Sequence, residues 1–395
     1  MVFIRADGNP VIGMGHVMRC LAIAAAMEEK PVFVTACEEC GPIIERQGYR
    51  VVVLPVDYRR MEEEISLLEK LAEEAGTGLA EAAVPGAAGA EAGKAGAGAE
   101  AEPGKRPVFL VDSYQVTEEY FRRLKNLGAV ACLEDLGISY PVDLLINYNL
   151  YASRLTYREG LHTLLGTAYA PLRQEFAEVR EGKGKAGARQ AREGREREGR
   201  IKALQAGEVP IRERQVRERV EQVLITTGGG DPYFAAAGFL EAFLEEGQED
   251  GGPVFHVVSG PMNSFAGELK ARYGGISRVR IHEGVTDMKS LMEQCDVALT
   301  AAGSTVYELC SLGIPMICFY FAENQRQGAE CLAEQTDIVN AGNYAGDAAE
   351  TVQRALAAFR RCMREPGYRS LLGRQERRLV DGQGAGRIAE ELSRL

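Results

Sequence analysis

The sequence predicts an α/β protein built on two parallel, doubly wound sheets. Short apolar runs rich in β-branched residues alternate with segments of helical periodicity, a pattern typical of parallel sheets covered by helices. The alternation occurs twice, before and after a strongly charged stretch. The chain has 395 residues, 46% of them hydrophobic, which is enough for two domains with sizeable cores.

The first series of strands and helices starts at the N-terminus. Its predicted strands span residues 2–4, 32–35, 49–54, 108–111 and 129–133. Its predicted helices span residues 16–29, 42–47, 58–75 and 117–127. We expect these elements to form an N-terminal Rossmann-like domain over residues 1–179.

Two segments of biased composition interrupt the pattern. Residues 76–106 are mostly Ala, Gly and Glu and carry no apolar periodicity, so they are interpreted as a flexible insertion. Residues 180–220 are rich in Arg and Glu, which predicts a solvated helical linker. Acidic residues are interleaved with the basic ones there, so nucleic-acid binding is not expected.

The second series follows the charged segment. Its predicted strands span residues 223–227, 254–259, 279–282, 297–300 and 316–321. Its predicted helices span residues 233–246, 264–273, 287–294, 304–312 and 325–335. We expect a C-terminal Rossmann-like domain over residues 221–395 and a cleft between the two domains, because open α/β sheets bind ligands beyond the carboxyl ends of their strands.

Charge and cysteine content exclude several classes of protein. The formal net charge of −11 argues against general affinity for nucleic acid or an anionic membrane. No apolar run is long enough for a membrane span, and the N-terminus lacks a signal-peptide pattern, so a cytoplasmic protein is expected. Cys37 and Cys40 form a CxxC pair without a second pair at ligand spacing, so the cysteines are interpreted as free thiols and no metal site is expected.

A glycine loop, IGMGH, follows the first predicted strand. Gly15 and the glycine two positions before it allow the backbone to turn tightly and approach a ligand. The third glycine of the dinucleotide-binding fingerprint is replaced by Met18, and no acidic residue ends the next strand, so a nicotinamide cofactor is not expected.

His16 directly follows this loop, at the predicted start of a helix. The positive end of the helix dipole disfavours the imidazolium ion, so a neutral ring that can accept a proton is expected there. His16 is therefore a candidate general base. Asp7 lies in the same loop as a candidate partner for the ring, and Arg19 lies one turn further on, where it could reach a phosphate or hold the loop. The alternative is a structural histidine that caps the helix.

A second glycine-rich turn, TTGGGDP, joins a strand to a helix. Backbone N–H groups in such turns can cradle a diphosphate. The candidate substrate-binding residues are Gly228, Gly229, Gly230 and Asp231. A tight turn with Asp231 as N-cap and Pro232 at the first helical position is the structural alternative, and both interpretations can hold at once.

A third strand-to-helix turn lies in AAGSTVYELC. Ser304 is the expected N-cap, followed by Thr305. Glu308 lies one turn into the helix, where its carboxylate can accept hydrogen bonds from both hydroxyls of a ribose. Asn324 and Gln325 follow the next strand, and their amides could contact sugar hydroxyls or acetamido groups.

Together these motifs resemble known enzymes of nucleotide-sugar metabolism. DMKSLMEQCDVALTAAGSTVYELCSLGIPMI resembles the nucleotide-binding half of the MurG-like glycosyltransferases, which have the GT-B fold. RADGNPVIGMGHVMRC is similar to the UDP-2,4-diacetamido-2,4,6-trideoxy-β-L-altropyranose hydrolases of pseudaminic acid biosynthesis. VDSY, NYNLYA and LLGTAYAPLRQEF fit the same family. The resemblance covers about residues 1–58, 107–178 and 222–345 and omits the two biased segments.

The resemblance implies hydrolysis of a UDP-sugar at the anomeric carbon, by C–O cleavage with inversion and without metal or cofactor. His16 would be the general base, the glycine turn at 228–230 and the helix beginning at Ser304 would hold the diphosphate, and Glu308 would hold the ribose. The sugar pocket would be lined by Tyr114, Asn149, Arg173 and Asn324. Arg173 could instead pair with Glu175.

The same resemblance implies a UDP-sugar as the small-molecule partner, and other enzymes of nonulosonate biosynthesis as neighbours in the pathway. Two alternatives stay open at this point. One is a glycosyltransferase that moves a sugar from a UDP-donor to a glycan or lipid. The other is a catalytically idle protein that binds nucleotide-sugars in polysaccharide or spore-coat formation.

Overall fold

The computed structural model describes residues 1–9, 11–76, 106–177, 214–246 and 251–395. The chain divides into two compact units. The first unit contains residues 1–147, 156–164 and 386–395, and the second unit contains residues 148–155 and 165–385. The units differ from the expected domain limits, because 148–155 and the segment from 165 onwards lie in the second unit, whereas 386–395 lies in the first.

The first unit is built on a seven-stranded sheet with the order β3-β2-β1-β4-β5-β6-β7. Its strands are β1 Val2–Ala6, β2 Val32–Thr35, β3 Arg50–Val53, β4 Val108–Asp112, β5 Ala129–Leu133, β6 Leu144–Asn147 and β7 Thr163–Leu165. The pairs from β3 through β6 are parallel, which confirms the predicted sheet type. The short strands β6 and β7 were not predicted.

Helices accompany this sheet. The α-helices are Gly15–Ala25, Gly41–Arg46, Ile65–Gly76, Glu118–Leu127 and Gly384–Ser393, of which the last is mostly in the first unit. The predicted helix 58–75 is divided into a 3-10 turn, Met61–Glu64, and the α-helix that follows it. The division coincides with the carboxylate of Glu64, which is fully buried against Arg5.

The second unit contains a six-stranded sheet with the order β10-β9-β8-β11-β12-β13. Its strands are β8 Gln222–Thr226, β9 Val254–Ser259, β10 Val279–Glu283, β11 Val297–Ala301, β12 Met316–Tyr320 and β13 Val339–Asn343. All five neighbouring pairs are parallel. Five of the six strands match the predicted ones to within a residue, and β13 was not predicted.

The first of the described helices in the second unit is short. These helices are Gln174–Ala177, Ala235–Leu244, Ala266–Tyr273, Met288–Gln294, Thr305–Leu312, Glu323–Gln335, Ala348–Arg364 and Pro366–Leu379. Two 3-10 turns, Ala152–Arg154 and Thr167–Tyr169, complete the unit. Aromatic packing fixes its core, since the rings of Phe243 and Phe359 stack with centroids 4.3 Å apart.

The two biased segments lie mostly outside the described residues. Only the ends of the expected insertion, 76–106, are described. Of the expected helical linker, 180–220, residues 214–220 are described, and they are not helical. The guanidinium of Arg214 donates to the carbonyls of Glu293 and Cys295 at 2.9 and 2.6 Å, so this stretch is held against the second unit and not in a solvated helix.

A buried charge network fixes the carboxyl end of β1. Arg5 is 1% exposed, and its guanidinium donates to both carboxylate oxygens of Glu64 and lies 2.7 Å from Asp7. The hydroxyl of Tyr120 donates to Glu64 at 2.7 Å. Because removing one member would leave an unpaired buried charge, costing about 3–5 kcal/mol, the network holds the strand end firmly where the glycine loop starts.

All nine cysteines are free thiols, as expected from the sequence, and all nine are also buried. Within the described ranges, no helix is both long and apolar enough to span a membrane.

Candidate active site

The predicted site residues fall into two groups, one in each unit. The first group is set by the loop that follows β1. The Oδ1 atom of Asn9 accepts hydrogen bonds from the N–H groups of Val11 and Ile12 at 2.9 and 3.0 Å, which closes a tight turn. Gly13 then adopts a φ of +75°, a conformation that favours glycine. The helix Gly15–Ala25 begins directly after this turn and places His16 in its first turn.

The ring of His16 is held by Asp112, the last residue of β4. His16 Nδ1 lies 2.6 Å from Asp112 Oδ1. Arg19 donates to the same carboxylate through Nε and Nη2, both at 2.5 Å. Since a carboxylate can only accept, we assign the ring proton to Nδ1, which leaves the lone pair of Nε2 available to accept a proton.

Asp112 is 1% exposed. Burial acts to raise the pKa of this carboxyl, but the charge of Arg19 and the hydrogen bonds from Arg19 and His16 outweigh burial and hold its pKa well below its usual range. A permanently ionised Asp112 can stabilise an imidazolium at His16, in the manner of the acid of a catalytic triad. The arrangement is therefore suited to general-base chemistry.

Tyr114 is packed against the histidine. The rings of His16 and Tyr114 meet edge to face, with centroids 5.0 Å apart. Tyr114 is 40% exposed, whereas His16 is 7% exposed. The tyrosine hydroxyl donates to Asp135 at 2.6 Å. The structure therefore brings four predicted residues together: Gly15, His16, Arg19 and Tyr114.

The expectation that Asp7 orients the histidine ring is wrong. Asp7 Oδ1 accepts from the hydroxyl of Thr35 and the N–H of Ala36 at 2.9 and 2.8 Å, and its carboxylate pairs with Arg5. Asp7 thus joins the ends of β1 and β2. Asp112 orients the ring because β4 lies beside β1 in the sheet, a neighbour relation that the chain order does not display.

The second group starts at the glycine turn after β8. A Cβ on Gly260 would lie 2.2 Å from the carbonyl oxygen of Gly228 and 2.5 Å from that of Gly229, so only glycine allows this close approach. The carbonyl of Gly229 also accepts from the N–H of Met262 at 2.9 Å. In a trans peptide the N–H points away from its carbonyl, so the N–H groups of Gly229 and Gly230 point away from the Gly260 segment.

The N–H groups of Gly229 and Gly230 have no acceptor among the described residues. The same is true of Ser304 and Thr305, at the start of the helix that follows β11. Because β8 and β11 are paired neighbours, both amide pairs lie at the same edge of the sheet. Exposed amides at a glycine turn and a helix N-terminus favour the binding of an anion such as a diphosphate.

Asp231 and Pro232 differ from their expected positions at the helix start. The helix begins at Ala235, and Pro232 lies outside it. Both oxygens of Asp231 nevertheless accept from the first helix amides, those of Ala235 and Ala236, at 2.7 and 2.9 Å. The intervening Phe234 has a φ of +53°, which interrupts the helical conformation and moves the start of the helix. The carboxylate of Asp231 is thus buried in a capping role.

Ser304 is at the N-cap position, as predicted, but its side chain makes no capping hydrogen bond. Glu308 lies in the first turn of that helix. Arg173 donates to Glu308 Oε1 through Nε and Nη2 at 3.2 and 3.1 Å, and its Nη1 lies 3.2 Å from Glu175. Arg173 therefore pairs with Glu175, as one alternative predicts, and it also pairs with Glu308, the candidate ribose ligand.

The predicted amides lie near the same helix and after the next strand. The hydroxyl of Tyr307 donates to Asn149 Oδ1 at 3.1 Å. Tyr307 directly precedes Glu308 in the chain, so Asn149 contacts the helix that carries Glu308. Asn324 is exposed in the first turn of Glu323–Gln335, after β12. Gln325 Oε1 accepts from the N–H of Phe321 at 3.2 Å, so this side chain closes the turn.

Two candidate residues were missed by the sequence reasoning. Asp112 lies within VDSY, and an acid that ends a fully buried strand was the available signal. Thr227 precedes the glycine turn, is 3% exposed, and its hydroxyl has no hydrogen-bond partner in the described part of the chain. No local pattern distinguishes that hydroxyl from a core threonine. No three His, Cys, Asp or Glu side chains of the described ranges are grouped so that they could hold a metal ion.

No family model matches the chain. Two curated proteins are similar in sequence. An uncharacterised protein of Methanocaldococcus jannaschii is 21% identical over 346 residues, covering 82% of this chain and 57% of that protein. The spore coat polysaccharide biosynthesis protein SpsG of Bacillus subtilis is 26% identical over 181 residues, covering 46% of this chain and 52% of that protein. The chain thus spans a little over half the length of these relatives.

Solved structures resemble the whole chain. MurG of Acinetobacter baumannii matches with a TM-score of 0.60 at 12% identity, over 100% of this chain and 99% of that one. MnaA of S. aureus in complex with UDP matches at 0.58 and 11%, over 98% and 94%. The spinosyn rhamnosyltransferase SpnG matches at 0.57 and 14%, over the full length of both. With its two parallel-sheet α/β domains of seven and six strands, the chain therefore has the GT-B fold, as the sequence predicted.

Proposed function

We propose that the chain is an enzyme that uses a nucleotide-sugar, and specifically that it hydrolyses a UDP-linked 2,4-diacetamido-2,4,6-trideoxy hexose. The products would be UDP and the free sugar, a precursor for pseudaminic acid-type nonulosonates. The observation that carries the proposal is the His16–Asp112–Arg19 arrangement, a histidine with an ionised carboxylate behind it. The sequence resemblance of the loop around His16 and the UDP complex among the similar structures support it.

In this proposal His16 Nε2 accepts a proton from the attacking water. The water oxygen forms a bond to the anomeric carbon as the bond from that carbon to the UDP oxygen breaks, which inverts the configuration. Asp112 stabilises the imidazolium that forms, and Arg19 keeps Asp112 in place and ionised. The proton then passes from the imidazolium to solvent, and UDP leaves with an additional negative charge.

The leaving diphosphate would be stabilised by the exposed amides of the second unit. These are the N–H groups of Gly229 and Gly230, with Gly228 shaping the turn, and those of Ser304 and Thr305. Preorganised donors of this kind stabilise the charge that develops in the transition state. Glu308 would bind the ribose, and the sugar would be contacted by Tyr114, Asn149 and Asn324. No resident metal or cofactor takes part in the proposal.

The proposal is tested by proton NMR of the purified chain with the UDP-linked diacetamido-trideoxy altrose, without added metal or acceptor. We expect UDP and free sugar to appear together, with the inverted anomer first. Substrate that stays intact under these conditions would refute the hydrolase. An acceptor screen under the same conditions would then examine the transferase alternative, which the rhamnosyltransferase among the similar structures favours.

The role of His16 is tested by His16→Ala and His16→Asn. Loss of a general base is expected to lower turnover by about 100-fold or more, while UDP still binds. His162→Asn is the matched control, because the His162 side chain is 51% exposed and belongs to no candidate site. Turnover of the His16 variants close to that of the control would exclude His16 as the base.

A further inference from the structure

We propose that Arg173 is a positioning residue which holds Glu308 ready for a ribose, so that the pair selects ribonucleotides over 2′,3′-dideoxyribonucleotides. The inference rests on the proposed function, since it assumes that a nucleotide binds beside Glu308. It differs from the resemblance, which places Arg173 in the sugar pocket.

The contacts are divided unequally between the two oxygens of Glu308. Two of the three guanidinium nitrogens of Arg173, Nε and Nη2, converge on Oε1 at 3.2 and 3.1 Å. Oε2 accepts no hydrogen bond from the described residues. It is not one of the buried oxygens that lack a partner, so it remains accessible to solvent. One oxygen is therefore anchored and the other is left for a ligand.

The position of Arg173 is itself fixed. Its guanidinium lies over the ring of Phe176, with Cζ 5.1 Å from the ring centroid, and Phe176 is 1% exposed. The N–H of Phe176 donates to the carbonyl of Arg173 at 2.9 Å. A Cβ on Gly382 would lie 2.9 Å from the carbonyl oxygen of Phe176, and one on Gly384 would lie 2.2 Å from that of Ala170. Close backbone packing thus holds this segment on both sides of Arg173.

The charge of Arg173 also favours the ionised form of Glu308. Burial raises the pKa of Glu308, Arg173 opposes that rise, and the neighbouring Glu175 adds to it. The pKa of Asp287, at the start of the helix Met288–Gln294, is lowered by hydrogen bonds from Ser290 and to a smaller extent by the charge of Arg173. Without the guanidinium, Glu308 would lie beside another carboxylate in a partly buried position and would take up a proton more readily. A protonated carboxyl is a weaker acceptor for ribose hydroxyls than a carboxylate.

The loss of a hydrogen bond to a charged group typically costs on the order of 10-fold or more in affinity. Ribose and its dideoxy analogue differ only in the hydroxyls that Glu308 would bind. The ratio of the two affinities therefore reports on the contacts to these hydroxyls, whereas damage to the fold or to diphosphate binding changes both affinities together.

The experiment is calorimetric titration of the full chain with UDP and with 2′,3′-dideoxy-UDP at pH 6.5 and 8.5. For the unmodified chain we expect a ratio of about 10 or more at both pH values. For Arg173→Gln we expect the ratio to fall at least about 5-fold at pH 6.5 and to be higher at pH 8.5 than at pH 6.5, because a higher pH favours the carboxylate form of Glu308. Arg173→Lys restores the charge and is expected to restore most of the ratio at pH 6.5.

Arg360→Gln is the matched control. Arg360 also places Nε and Nη2 on one oxygen of a glutamate, Glu246, at 2.9 and 2.7 Å, and it lies in the same unit. We expect its ratio to equal that of the unmodified chain. If Arg173→Gln weakens both nucleotides equally at both pH values, the inference is wrong and Arg173 is structural or contacts the phosphates.

Two further outcomes separate the inference from the proposed function. An unmodified chain that binds both nucleotides with equal affinity refutes the inference and leaves nucleotide use intact. An unmodified chain that binds neither nucleotide refutes the proposed function, and the inference with it.

Discussion

Acidification is predicted to weaken the second unit through a pair of histidines. His256 on β9 is 6% exposed, and its Nε2 lies 2.7 Å from Gln222 Oε1 on β8. Its Nδ1 lies 3.0 Å from His282 Nε2 on β10. The glutamine oxygen can only accept, so His256 donates through Nε2 and accepts from His282 through Nδ1. A second proton on His256 would set two N–H groups against each other.

The magnitude follows from the ionisation of this ring. Burial, His282 and Arg280 lower the pKa of His256 to about 4 from its ordinary 6.5. Between pH 6.5 and 4, His256 therefore binds a proton in the unfolded chain but stays neutral in the folded chain. The stabilisation by neutral His256 is complete above pH 6.5 and is lost as the pH falls. Linkage gives a loss of about 1.4 kcal/mol by pH 5.5 and about 2.5 kcal/mol by pH 4.5.

Hydrogen exchange of peptides covering β8, β9 and β10 measures this loss as a free energy of opening. His256→Gln keeps a donor and an acceptor at the same place but cannot titrate in this range. The free energy of opening of the unmodified chain, relative to that of His256→Gln, should fall by about 2.5 kcal/mol from pH 7.5 to pH 4.5. His162→Gln should show no such shift. Profiles for the unmodified chain and His256→Gln that stay parallel across this range would refute the reasoning.

Two further predictions concern the candidate site. Asp112→Asn keeps the shape of the side chain but removes the charge that would stabilise the imidazolium of His16. It should lower turnover of the UDP-sugar by about 100-fold or more with little change in UDP affinity, and NMR turnover within threefold of normal would contradict this. Asp231→Ala removes the acceptor for two helix amides and should destabilise the second unit by about 1–2 kcal/mol in urea unfolding, whereas Asp231→Asn should retain part of that stability.

Much of the fold could be predicted because most of the parallel strands are buried on both faces. Such strands appear as short continuous apolar runs, as in MICFY of β12 or VFVT of β2. Among the unpredicted strands, β6, LLIN, carries that signal and was overlooked, whereas β7 and β13 lack it. β7 has three residues, and β13, VNAGN, contains a glycine and two asparagines. Their strand conformation is imposed by the neighbouring strand of the sheet, which a local window of sequence does not contain.

The candidate site could be predicted only as far as its residues are local in sequence. The glycine turns and the residues of helix starts, such as His16 and Ser304, are set by their immediate neighbours. The partner of His16 is 96 residues away, and that of Glu308 is 135 residues away. Strand order decides the first of these pairs, and chain order alone suggested Asp7 instead. The position of Arg173 depends on glycines beyond residue 380, which no motif connects to it.

The discontinuous make-up of the first unit has a consequence for biosynthesis. Residues 386–395 contribute Ile388 and Leu392, both completely buried, to that unit. The ribosome must therefore synthesise residues 165–385 after the preceding part of the unit has emerged, which takes on the order of ten to forty seconds at about 5–20 residues per second. During that interval the second unit can fold, because its residues are nearly consecutive in the chain. The first unit, which carries His16, cannot complete its core until residues 386–395 have been synthesised. A fragment that stops at residue 179 would lack residues 386–395, so the core of its first unit would stay incomplete.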